Sequence, residues 1–131
     1  STFIFFVRGL AANNDYGTMV GTGNTAVSML DNALAAKIAH GTSSGQMEHG
    51  AVSLAATADS SATESSLVIT RSFTNSSGGS ISVAETGVQV LTRDSAAANQ
   101  FFLIIRDVLS SAVVVNNGQV ITVTYTIKVT T

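Results

Sequence analysis

Ala112–Val129 reads AVVVNNGQVITVTYTIKV, and it decides the fold class. Ile121, Val123, Tyr125, Ile127 and Val129 alternate with Thr122, Thr124, Thr126 and Lys128. That is the two-residue period of a strand with one apolar and one hydroxyl-bearing face. Asn116-Asn117-Gly118 just before it is turn chemistry, because Asn-Gly readily supplies the positive φ of a tight hairpin. The stretch therefore predicts a hairpin whose strands are Ala112–Val115 and Val120–Val129.

Working outward, the same grammar recurs. Phe101–Val108 (FFLIIRDV) is apolar almost throughout, as in a strand covered on both faces. Upstream, Leu67, Ile69, Arg71 and Phe73 alternate with Val68, Thr70, Ser72 and Thr74, and Asn75–Ser80 (NSSGGS) turns the chain. Ile81–Leu91 returns, predicting a second hairpin. Its apolar positions are Ile81 and Val83, then Val88 and Val90, so the phase slips around Glu85–Gly87, the signature of a bulge.

The first half is less regular. Thr2–Val7 (TFIFFV) predicts a buried strand and is too short for a signal-peptide core. Leu10–Asn24, with Gly17, Gly21 and Gly23, predicts a loop. Asp31 or Asn32 can cap a short helix near residues 32–40, through Ala33–Ala39 to Gly41, with Leu34 and Ile38 on one stripe. His40–Gly50 reads as a loop, Ala51–Leu54 as a strand and Ala58–Ser65 as a polar connection. The expected fold is mainly β, an antiparallel β-sandwich or jelly-roll-like domain over 31–131. Residues 1–30 precede it as an N-terminal strand or arm and a Gly-rich loop, within one structural unit.

Composition narrows the function. Of 131 residues, 17 are Ser, 16 Thr and 17 Ala, and only 11% are charged against roughly 25% in an average domain. Six basic and eight acidic residues leave no electrostatic footprint for nucleic acid or an anionic membrane. No apolar run reaches the ~18 residues of a membrane-spanning helix. The absence of Cys excludes disulfides, thiolate metal sites and a Cys nucleophile.

Chemical motifs are sparse. Gly21-Thr22-Gly23-Asn24-Thr25-Ala26 spells a dinucleotide turn but lies in no strand–helix alternation. His40, Glu48 and His49 bracket a Gly-rich loop, with no third ligand cluster near. Asp94 and Asp107 could pair as a general acid and base on adjacent strands, whereas a plainer reading has Arg106 and Asp107 at the end of a sheet or one buried ion pair between strands or subunits. No G-x-S-x-G elbow occurs among the serines. The expectation is no enzyme, no cofactor and no metal.

Three stretches carry a resemblance. Leu67–Val90 (LVITRSFTNSSGGSISVAETGVQV), Phe101–Val129 (FFLIIRDVLSSAVVVNNGQVITVTYTIKV) and Ile38–Val52 (IAHGTSSGQMEHGAV) resemble segments, in the same order, of small β-rich structural proteins of tailed bacteriophages and their environmental relatives. The turn Asn116-Asn117-Gly118 departs from them, since relatives often carry Pro there. The resemblance implies a virion subunit (capsid-associated or decoration, neck, tail or fibre) that binds copies of itself and other virion proteins. The alternative is a surface-displayed or secreted binding module. The uncharged run Thr2, Phe3, Ile4, Phe5, Phe6 and Val7 supplies candidate assembly contacts, either as a core strand or as an arm added to a neighbour's sheet.

Overall fold

Period-two alternation across residues 64–130 builds one long two-stranded ribbon folded in half. The computed structural model describes residues 5–58 and 64–130. Among these residues eight strands form: β1 Phe5–Phe6, β2 Gly17–Gly21, β3 Glu48–His49, β4 Ser53–Ala58, β5 Glu64–Thr74, β6 Ile81–Arg93, β7 Asn99–Val115 and β8 Val120–Thr130. β6 pairs with β7 from Arg93↔Asn99 to Ile81↔Val115, and β5 pairs with β8 from Thr74↔Val120 to Glu64↔Thr130. The ribbon's tip is the turn at Asp94–Ala98 and its crease lies at residues 75–80 and 116–119. Folding at the crease stacks the β6–β7 half on the β5–β8 half, giving two antiparallel four-stranded sheets and an all-β, sandwich-like fold.

The two expected hairpins are thus replaced by arches. Asn116–Gln119 joins β7 in the first sheet to β8 in the second, and Asn75–Ser80 joins β5 in the second to β6 in the first. A tight type I′ hairpin needs positive φ at both central residues. Here Gly118 is at φ 85° while Asn117 is not in that region, so the turn spreads the strands into different sheets. The arches hold one another: the Asn75 amide donates to Gln119 O (2.9 Å) and Gly118 N donates to Asn75 O (2.6 Å). The buried Asn75 side chain donates to Gly79 O and Val115 O and accepts from Ser77, filling all its hydrogen-bonding capacity.

The phase slip in β6 is real. Ile81 and Val83 face one core cluster, near the crease, with Phe73, Val115, Val123, Val20, Ile38 and Met47. Val88 and Val90 face a second cluster with Val7, Val52 and Ile69. The extra residues sit on β7: Val83 and Glu85 pair with Val113 and Val108, and Val88 and Gln89 pair with Ile105 and Leu103.

Residues 5–58 line one edge of this ribbon. β1 and β2 both pair with β6, and β3 and β4 both pair with β5. The Gly-rich stretch expected as loop contains β2, whose five residues are all buried. Met19 and Val20 supply the apolar content that makes a strand there worthwhile.

The helix expected near residues 32–40 does not form; among the described residues the chain has no helix. Local propensity loses to a distant partner: the amides of Ala35 and Ala36 donate to the carboxylate of Glu85 at 3.1 and 2.8 Å. Thr22 N then donates to Ala36 O, and Ile38 N to Val20 O, laying this segment along the edge of β2.

Candidate functional site

The ribbon's two edges differ, and the polar groups explain how. On the edge lined by β1–β4, three buried anchors hold loops in place. Arg71 sits on β5 in the phase of Leu67, Ile69 and Phe73, so its side chain enters the core, 1% exposed. All five acceptors it finds are backbone carbonyls: Gly50 (2.7 Å), Thr18 (3.1 Å), Leu10 (3.2 Å), Tyr16 (3.3 Å) and Asn13. Its guanidinium carbon lies 5.7 Å from the Phe73 ring centroid. With no carboxylate among its partners, burial pulls Arg71 down to about 10.

The second anchor is Glu85–Arg106–Asp31. Arg106 Nη2 donates to Glu85 Oε2 at 2.8 Å and to Thr25 O, and its Nη1 donates to Asp31 Oδ2 at 3.0 Å. The bond to Glu85 raises Arg106 above its ordinary value, and the Ser28 amide, then Arg106, hold Asp31 below its own. This is the buried interstrand ion pair that Arg106 suggested, made with Glu85 rather than Asp107. It also accounts for the G-x-G-x-x-A spelling: a Cβ on Gly21 would meet the Glu85 carboxylate and the Ala36 carbonyl. The glycines admit protein, not a pyrophosphate.

The third anchor is the His40–His49 pair. His49 is 3% exposed; its Nδ1 donates to Met47 O (3.0 Å), and its backbone amide donates to His40 Nδ1 (2.9 Å). These bonds place the proton of His49 on Nδ1 and that of neutral His40 on Nε2. His49 Nε2 is buried without a partner, its ring edge-on to Phe73. Burial lowers His49 to about 4, with the charges of Arg71 and Lys37 adding to the effect and the Met47 carbonyl opposing it. Glu48 turns away to accept from Ser76 Oγ. Among the described residues no group of three His, Asp or Glu converges as a metal-binding set.

Asp94 and Asp107 are held in separate networks. Asp94 caps the ribbon's tip, accepting from the amides of Ala96 and Ala98, which lower its pKa, and from Gln100. Asp107 Oδ2 accepts from the Tyr125 hydroxyl (2.8 Å), which in turn meets Thr86 Oγ1 (2.5 Å). Burial raises Tyr125 above its ordinary value, and the Asp107 charge adds to that.

The opposite edge, formed by β7 and β8, is bare of strands, with only the 27–31 loop beside the middle of β7. Among the described residues no strand pairs with either from outside. Phe102 (54% exposed), Ile104, Val113 and Val114 (57%) on β7, and Val120 (57%) and Ile127 on β8, present apolar surface there. Leu109, Ile121, Val123 and Tyr125 line a groove between the sheets. This edge is the candidate functional site. Its signal was present in the long uncharged runs 101–105 and 120–127, but not the fact that both would be edges.

Of the residues expected to make assembly contacts, Thr2, Phe3 and Ile4 lie outside the described residues, as does most of the connection at 58–65. Phe5 and Phe6 pair with Thr92 and Leu91 of the same chain, and Val7 is buried in the second core cluster. Among the described residues no helix is long and apolar enough to cross a membrane. Comparison with known proteins gave no match to any family model, curated protein or solved structure.

Proposed function

We propose that the chain is a self-associating structural subunit of a bacteriophage virion, acting through subunit contacts and not through catalysis. The observation that carries this reading is the bare β7–β8 edge. Edge strands with long uncharged runs, here 101–105 and 120–127, invite pairing with another chain, and soluble monomers normally blunt them. Few charges also lower both the repulsion between copies and the desolvation cost of burying a contact. The resemblance of 38–52, 67–90 and 101–129 to phage structural proteins supports the virion assignment. Its partners are copies of itself and other virion proteins, with no nucleic acid, membrane or cofactor.

One feature favours a second reading, a surface-displayed or secreted binding module. The outer face of the second sheet carries Ser53, Thr70, Ser72, Thr122, Thr124 and Thr126, a hydroxyl surface suited to polar ligands. Size-exclusion chromatography with light scattering, followed by electron microscopy, separates the two. A ring, tube or shell is expected; a stable monomer that binds glycans would overturn the virion reading.

A further inference from the structure

Given self-association as proposed above, on which this inference rests, we propose that two copies join β8 to β8 antiparallel about a two-fold axis at Thr124. The joined strands would merge their second sheets into one continuous sheet.

Four observations select this edge and this partner. β8 pairs with β5 over eleven consecutive residues without a register shift, so its outer edge is regular, whereas β7 is interrupted twice by extra residues. Bulges are a standard protection of an edge, and β8 has none. The middle of β7 is also flanked by the 27–31 loop, where Val27, Met29 and Asp31 share a groove with Leu103–Arg106. Charge gives no protection to β8 either: Val120–Ile127 carries none, and Lys128, at one end, is already paired with Glu64 at 3.4 Å.

The fourth observation concerns what fits the edge. Ile121-Thr122-Val123-Thr124-Tyr125-Thr126-Ile127 is nearly a palindrome in chemical type about Thr124. An isologous contact requires this property, since residue i must suit residue j and j must suit i. Centred on Thr124, Thr122 faces the partner's Thr126, Val123 faces the partner's Tyr125, and Ile121 faces the partner's Ile127. Apolar side chains then continue the core face and threonines continue the outer face. A slip by one residue would set threonines against apolar side chains and lose that match. Lys128 falls opposite the partner's Val120, so the two ammonium groups stay at opposite ends.

The chain has no cysteine, which makes single-cysteine coupling a clean test. Directly opposed residues in an antiparallel pair have Cα atoms about 4.5–5.5 Å apart, within disulfide reach. Under mild oxidation, Thr124→Cys is expected to give a covalent dimer, whereas Ser53→Cys on the opposite edge stays monomeric on denaturing gels. Thr122→Cys and Thr126→Cys are expected to couple when mixed and not when oxidised separately. Thr124→Lys, at an exposed outer-face position, should keep its β circular dichroism yet weaken self-association at least about tenfold. Mixing it with Thr124→Glu should restore association. An unmodified protein that is oligomeric while Thr124→Cys stays uncoupled overturns the β8 contact and leaves self-association standing. An unmodified protein that is monomeric removes both.

Discussion

The two edges of the folded ribbon show what buried polar groups are for in this chain. Along the edge lined by β1–β4, the loops at 10–16 and 22–40 bury only Leu34 and Ile38 as large apolar side chains. Arg71 and Glu85 with Arg106 reach into those loops and bind their backbone carbonyls and amides, and the His49 ring holds Met47 O in the next loop. On the β7–β8 side, Arg106 pins the 25–31 loop beside the middle of β7, whereas Tyr125 on β8, between Thr86 and Asp107, ties the two sheets together rather than holding a loop over them. The polar interior seals one side and leaves the other apolar and free to pair. This contrast predicts that replacing the buried anchors costs folding stability, while a charge introduced on the exposed side of the bare edge, as in Thr124→Lys, costs mainly association.

The largest expected effect is at Arg71. Replacing it with Leu leaves five carbonyls without their shared donor and should destabilise by about 3–5 kcal/mol in urea titration. The loop at 10–16 should become the first site of limited proteolysis. A loss below about 1 kcal/mol would break the contrast.

His49 comes next. Its folded pKa of about 4 lies below the ordinary 6.5, so the unfolded chain binds the proton more readily between those values. Stability is therefore full above pH 6.5 and falls as pH drops toward 4, by about 3 kcal/mol in total. In His49→Phe, that part of the pH dependence should disappear, measured as the difference from the parent protein.

At the crease, Asn75→Ala strands the carbonyls of Val115 and Gly79 and should cost about 2 kcal/mol. The smallest effect belongs to the bare edge. Tyr125→Phe removes two hydrogen bonds and should lower stability by about 1 kcal/mol with the oligomeric state unchanged.

Much of the fold was legible because alternation is local. Residues 67–74, 81–91 and 120–129 each declare a strand, and the slip between Val83 and Val88 declares its own irregularity. Pairing partners are not local. Asn116-Asn117-Gly118 signals a turn but says nothing of which sheet receives the next strand, so the local pattern predicts hairpins where the fold has arches. Ala33–Ala39 looked helical because the group that captures its amides, Glu85, lies 49–50 residues away. The anchors had one visible trace: Arg71 occupies a core phase in its own strand, where a charged residue must find partners. The bare edge was half visible, as uncharged runs without a stated place in the sheets.

The crease also fixes an order of events during synthesis. Phe73 meets its ladder partner Ile121 only after 48 further residues have been made, and Glu64 must await Thr130. At roughly 5–20 residues per second, β5 leaves the ribosome some 2–10 s before its partner exists. Ladders closed at such sequence separations are slow to form. The nascent chain therefore carries the unpaired edge and apolar face of β5 until β8 has been made.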